Sequence, residues 1–454
     1  MFLSCRQDQV AVPQVKHVNN SSYDHLRQRA QAVAGKSGRI RQRIAVDADF
    51  DPYSVPIEAL NVANPEIFRH ELWPAYFKRL RDEAPIHYTK DSQYGAYWSI
   101  TRFDDIMAVD KANDTFSSDY SMGGITIHGR PTAMQELPMF IQMDVPKHDA
   151  QRMTVAPMFT QRSLSELEVM IRSRAGEILD ALPRGVEFDW VPNVSVELTS
   201  RMLATLFDVP QEDRATLIRW SNIVSNADDP DYVTDAAQFW EAMAECGDYF
   251  ASMWERKKVA PAGFDLLSML SHASSTKDMD QRELLGNVIL LLVGGNDTTR
   301  NSISGGVLAL NQFPEENVKL RKNPALVHSM VPEIIRWQTP LIHMRRTVLR
   351  DTSFRGHDFK RGDKVVMWYL SGNRDERVIH EPDQFIIDRK DPRHHLSFGF
   401  GIHRCLGNRL AEMQVRVLWE EILKRFASVE VVGKPVRASS SLFRAIQSMP
   451  VRVT

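Results

Sequence analysis

One cysteine set among glycines and a histidine marks where this chain could do chemistry: Phe398-Gly-Phe-Gly-Ile-His-Arg-Cys-Leu-Gly407. Cys405 is a candidate metal ligand. Glycines at 399, 401 and 407 permit backbone angles that other residues resist, so a loop can curl under a flat cofactor with its amides aimed at sulfur. Such amides stabilise a thiolate. Beyond the loop, Leu406, Leu410, Met413, Val417 and Leu418 fall at the spacing of a helix laid against a core, predicting a helix over 406–426. Cys405 would then stand at the positive end of that helix, which also lowers a thiol pKa. The competing readings are a buried structural cysteine and a zinc site on His403 and Cys405. Zinc needs further Cys or His ligands at short spacings, and the other cysteines are the distant Cys5 and Cys246.

Three more segments carry unusual chemistry. The longest helical pattern, 281–313, is interrupted by Gly294-Gly-Asn-Asp-Thr-Thr299, where two glycines cost helix stability and Asp297 and Thr298 compete for backbone groups. Glycines for close helix packing would leave the acid and hydroxyls unexplained. In 143–152, Pro146 suits a helix start, and His148 and Arg152 lie four apart on one face, where two cationic groups can converge on one anion. Glu333 and Arg336 form an i,i+3 pair, and Pro332 before them implies a kink or a late helix start.

Together these motifs resemble the cytochrome P-450 family, the haem-thiolate monooxygenases, over nearly everything from about residue 49 onward. The resemblance implies a mainly α protein with small β-sheets (α+β), a single large domain holding haem b between a long central helix and the cysteine-ligand loop. Cys405 would be the metal ligand, with Phe398, Gly399 and Gly407 in its loop. His148, Arg152, Arg346 and His403 would surround the two haem propionates, Arg345 being able to exchange roles with Arg346. Gly294 and Gly295 would leave room for O2, Thr298 would hydrogen-bond the oxygen species and an ordered water, and Asp297 would connect the pocket to bulk protons. Thr298 has no neighbouring base that would make it a nucleophile. The Glu333–Arg336 pair would lock onto Arg389, or else Arg393. Substrate contacts would come from Leu290, Val293, Gly294, Leu341, Ile342, Met344, Leu442 and Phe443.

Segments 294–302, 331–340 and 343–347 look like soluble bacterial alkane and fatty-acid terminal hydroxylases of this family. That implies ω-hydroxylation of medium-chain alkanes, fatty acids or related chains. Terpenoid or sterol side chains are the alternative substrates, and a peroxide-driven haem enzyme or a non-catalytic haem sensor the alternative classes. No flavin, nicotinamide or iron–sulfur motif is evident, so electrons from NAD(P)H would arrive through a ferredoxin and its reductase, guided by Arg404, Arg409 and Arg416.

Composition agrees. A net charge of −2, 43% hydrophobic and 25% charged residues fit a soluble globular protein and argue against bulk nucleic-acid binding. Three cysteines cannot build a disulfide framework and suit a cytoplasmic setting. The longest apolar run, 288–293, is far below the roughly 20 residues of a membrane span, so no membrane anchor is expected. Residues 1–45 read as a polar, basic, solvated arm with some helix over 22–34, and 46–454 as the monooxygenase domain. Helices near 199–224 and 237–257 are candidates for a mobile roof.

Overall fold

The computed structural model describes residues 23–34, 44–128, 137–227, 229, 232–233 and 235–454. The helices that position the site are, in chain order, α1 (Asp24–Val33), α2 (Phe103–Lys111), α3 (Lys147–Val155), α4 (Gln161–Asp180), α5 (Glu197–Phe207) and α6 (Arg214–Ser225). There follow α7 (Ala236–Val259), α8 (Leu266–His272), α9 (Gln281–Gln312), α10 (Val327–Gln338) and α11 (Asn408–Arg425). The expected central helix is α9, opened by the Asp280 carboxylate accepting from the Glu283 amide at 2.8 Å and stopped where Pro314 removes a donor. Pro332 lies inside α10, so the late-start alternative is set aside.

The main sheet gathers β1 (Ile86–Thr89), β2 (Tyr97–Ile100), β3 (Phe116–Ser117), β4 (Met344–Val348) and β5 (Lys364–Met367) in the spatial order β1-β2-β5-β4-β3. Only the β2–β5 pairing is parallel. Ahead of β4, Leu341 contributes a single bridge to Phe443, and regular pairing begins at Met344. The 56–81 stretch is several pieces, a turn at Ile57–Ala59 and helices at Pro65–Arg69 and Trp73–Glu83.

Helix α9 approaches the segment around Pro138 very closely. A Cβ on Gly286 would fall 2.0 Å from the Pro138 carbonyl oxygen, a backbone atom that cannot swing away. Gly286→Ala should therefore destabilise the fold by about 2 kcal/mol, read as a lower denaturant midpoint at unchanged m-value, even though alanine is the better helix former.

The amino-terminal segment departs from expectation. Residues 1–22 and 35–43 of the expected arm lie outside the described residues, but α1 is packed rather than solvated. Tyr23 is fully buried, its ring filling a notch at Gly247 where a Cβ would come within 2.7 Å, and its hydroxyl donates to the Gln281 carbonyl at 2.6 Å. Arg27 pairs with Asp248 at 2.5 Å, and the Arg29 guanidinium lies 4.1 Å over the Trp240 ring. The composition showed polar residues, while two of them, Arg27 and Arg29, spend their charges on α7. No helix among the described residues is long and apolar enough to cross a membrane.

Candidate functional site

The cysteine loop is held from outside. Glu333 and Arg336 form a two-point pair, both contacts at 2.7 Å, and Arg389 joins Glu333 at 3.0 Å; Arg393 instead pairs with Glu412. Arg336 also donates to the carbonyls of Asn373, Pro382 and Gln384. Asn373 in turn binds the Leu396 amide and the Ser397 hydroxyl, and Ser397 reaches the Ile335 carbonyl. The chain immediately before Phe398 is thus fixed to α10.

Within the loop, the Cys405 amide donates to the Phe398 carbonyl at 2.8 Å. Gly401 has φ +65°, and a Cβ there would fall 2.3 Å from the Asp110 carbonyl oxygen, so glycine is required by both angle and space. Asp110, at the end of α2, also accepts from the Phe400 amide, the Tyr369 hydroxyl and Arg346. Sequence reasoning missed this carboxylate, which ends an ordinary amphipathic helix.

The Cys405 sulfur is surrounded by protein yet open to an internal cavity between the loop and α9. Burial pushes its thiol up from the usual value, and the Gly407 amide, Arg152 and Arg404 only partly offset this. The expected lowering is therefore overruled by desolvation: the amide is in place, but the charged form lacks water. Cys246 is buried elsewhere, and among the described residues no cluster of further Cys, His, Asp or Glu surrounds Cys405, which leaves the zinc reading without ligands.

Across the cavity, Gly294 and Thr298 of α9 face Cys405's side, four apart on one helix face. A Cβ on Gly294 would meet nothing within 4 Å, whereas one on Gly295 would touch Leu203 of α5 at 3.0 Å. The two glycines therefore differ: Gly294 keeps space open, and Gly295 lets helices pack. The Thr298 hydroxyl donates back to the Gly294 carbonyl at 3.0 Å, leaving its oxygen lone pairs available. Asp297 points the other way. It is fully buried, accepts from Ser221 and Ser225 of α6 at 2.6 and 2.7 Å, and pairs with Arg300, so it stands behind the cavity wall rather than in it. One residue of helix turn separates the two roles.

Basic groups gather at the cavity's lower rim. His148 and Arg152 of α3, Arg346 of β4 and His403 all line it, and the rings of His148 and His403 lie 4.2 Å apart. Burial lowers the pKa of both histidines and of Arg152. The Nε2 of His148 and both ring nitrogens of His403 are buried without a hydrogen-bond partner. Arg346 holds Asp110 at 2.6 Å, and Arg152 donates to the Arg404 carbonyl at 2.5 Å. Arg345 cannot substitute for Arg346. Neighbours on a strand face opposite ways, and Arg345 binds the Gly123 and Met122 carbonyls instead.

Of the expected substrate wall, Leu290, Val293, Gly294, Leu341, Met344, Leu442 and Phe443 line the cavity. Ile342 does not. It lies ahead of the regular strand and packs into a second core with Trp368 and Val366. Further walls come from Ile125 and Thr126, in the 117–136 passage that the resemblance assigns to the pocket wall, from Met139 and Phe140, which sequence reasoning left out, and from Met202, Leu203 and Leu206 of α5. Of the expected roof over 199–224 and 237–257, α5 lines the cavity through these three residues, whereas α6 and α7 contribute no lining residue among those described. Among the described residues no carboxylate lines the cavity, and the formally charged side chains that do are Arg152 and Arg346.

A flat, dianionic macrocycle fits this slot: one soft sulfur ligand below, a glycine-cleared helix above, and unpartnered imidazole nitrogens at the rim where carboxylates would accept from them. Comparisons with known proteins agree. The family model described as cytochrome P-450 matches residues 239–443. A linalool 8-monooxygenase of Pseudomonas putida is 33% identical, covering 87% of this chain and 99% of the relative. A methyl-branched lipid omega-hydroxylase of Mycobacterium tuberculosis is 31% identical, covering 88% and 96%. Among solved structures, cytochrome P-450-153 from Novosphingobium aromaticivorans superposes with TM-score 0.82 at 40% identity, covering 87% of this chain and all of that one.

Proposed function

The chain belongs to the cytochrome P-450 family, and from that premise we propose that it hydroxylates the terminal methyl group of medium-chain alkanes, fatty acids or related aliphatic chains. It is a monooxygenase, an oxidoreductase that works with haem, O2 and electrons delivered by partner proteins. The observation that carries the narrower reading is the upper wall, Leu290, Val293, Leu341, Leu442 and Phe443, which is aliphatic and aromatic with no charged anchor. Likeness to an omega-hydroxylase supports it too. Likeness to the linalool enzyme favours a second reading, hydroxylation of terpenoid or sterol side chains in the same apolar pocket.

Haem held by a cysteine thiolate supplies reductive activation of O2 and insertion of one oxygen atom into a C–H bond, the other leaving as water. In our reading the group would be haem b, held by the Cys405 sulfur. His148, Arg152 and His403 would hold its carboxylates, and Arg346, already tied to Asp110, stiffens the same rim. Gly294 keeps the approach over the cysteine clear. Thr298 offers a hydroxyl at that approach and passes protons inward, while Asp297 supplies them from behind through its serine and arginine contacts when its side chain turns. Electrons come from NAD(P)H through a ferredoxin and its reductase, docking near the exposed Arg404 and Arg409. Arg416 is spent on Glu168 and Glu420, both at 2.8 Å, and drops out of that surface. Residues 46–454 form the catalytic unit, working in the cytoplasm.

Product analysis with octane and dodecanoic acid and a reconstituted electron supply tests the assignment. Primary alcohol or ω-hydroxy acid is expected; exclusively subterminal products would reject it, and turnover of linalool alone would favour the second reading. Thr298→Ala should keep its haem yet divert reducing equivalents into hydrogen peroxide, with product per NADH falling about tenfold. Parallel assays of NADH, peroxide and product measure this, and full coupling would remove Thr298 from the proton path.

A further inference from the structure

His343 touches neither the cavity nor the cysteine, yet it is completely buried between the two loops that form the cavity's upper wall. Its Nε2 accepts from the Ile127 amide at 3.0 Å, and its Nδ1 donates to the Ser441 carbonyl at 2.8 Å. Ile127 follows Ile125 and Thr126, and Ser441 precedes Leu442 and Phe443, all four of them lining residues. Backbone bonds tie the flanks. Ile342 donates to Leu442 and Arg345 donates to Ile125, and at the level between them the side chain of His343 hydrogen-bonds the backbone of both loops.

Only a neutral imidazole with its proton on Nδ1 satisfies both partners, because a protonated ring has no acceptor for the Ile127 amide. Burial, with His128, Lys364 and Arg345 nearby, pushes its pKa down to about 3, so that form persists throughout the working range. The Trp368 ring, centred 5.1 Å away, backs the imidazole, and Lys364 grips the Ile127 carbonyl at 3.0 Å.

We propose that His343 is a specificity-determining positioning residue, which sets the separation of the 125–127 and 441–443 walls and thereby the width of the channel open to an aliphatic chain. This rests on the apolar pocket being the substrate site, though not on which aliphatic compound fills it.

The test uses haem-loaded wild-type, His343→Phe and His343→Gln proteins, titrated with N-methylimidazole and N-octylimidazole and followed by haem absorbance. The short ligand reads access to the haem and the long one reads the walls. Phenylalanine fills the space but leaves an amide and a carbonyl unsatisfied, whereas one glutamine amide can both accept and donate. In the Phe protein N-octylimidazole should bind about tenfold more weakly with N-methylimidazole nearly unchanged, and Gln should recover most of the loss. Equal weakening of both ligands, no weakening, or a Gln protein as impaired as Phe would overturn the proposal. Should the Phe protein fail to load haem, hydrogen exchange at the Ile127 amide decides: slow exchange in wild type and Gln supports the clasp, and open-loop exchange in wild type overturns it. An enzyme that oxidises terpenoids instead of alkanes leaves all these outcomes unchanged.

Discussion

Cys405→Ser should cut monooxygenase turnover by about a thousandfold or more and remove the far-red-displaced Soret band of the reduced carbon monoxide complex. The fold should survive. The loop is closed by the Cys405 amide to the Phe398 carbonyl, a backbone bond that serine retains, and a serine oxygen can still accept from the Gly407 amide. What changes is the donor atom. In an enclosure whose burial already disfavours the anionic thiol, an alkoxide is far less accessible still, and only a soft, charged ligand pushes electron density toward O2. Circular dichroism should match wild type, so the absorbance and turnover readings isolate the ligand. Retention of the displaced band in the serine protein would mean that the sulfur of Cys405 is not the ligand.

Glu333→Gln should cost roughly 3–5 kcal/mol of stability, because it leaves Arg336 charged, buried and facing an amide. Burial alone would raise the Glu333 carboxyl, but hydrogen bonds and charge from Arg336 and Arg389 outweigh it and hold the carboxyl below its ordinary range. The sign follows. A carboxylate with a depressed folded pKa contributes stability that is fully present above its unfolded value and is lost as pH falls through the folded one. Wild type should therefore weaken more on acidification than the Gln protein, and the gap between their denaturant midpoints should narrow below the ordinary carboxylate range. Since the same cluster anchors the chain before Phe398, the Gln protein should also release haem faster at neutral pH.

The chemistry was legible in the sequence wherever it depends on a short, contiguous pattern. The cysteine loop, the Gly294–Thr299 segment inside the unbroken α9 and the Glu333–Arg336 pair all stand where expected, and Arg389 was the correct first choice over Arg393. What failed is what depends on facing. Arg345 faces away from its strand neighbour Arg346, and Ile342, ahead of the regular pairing, turns into a second core. Long-range pairing was equally invisible: Asp110 is 236 positions from Arg346, and Arg416 looked free until Glu168 was folded against it. Met202, Leu203 and Leu206 fall in the stretch expected as roof, but which of its side chains reach the cavity was not legible, because most of their surface packs as core.

The docking of α1 bears on how this enzyme can be re-engineered. A chain shortened to start at residue 46 would lose the 10-residue helix and bare Trp240, the Gly247 notch and the Gln281 carbonyl, an apolar seam inviting self-association. Grafting an electron-transfer module onto the front end would tug on the same seam. The exposed Thr454, at the rim of the sheet joining Val429–Val431 with Pro450–Val453, offers the safer junction for a self-sufficient fusion.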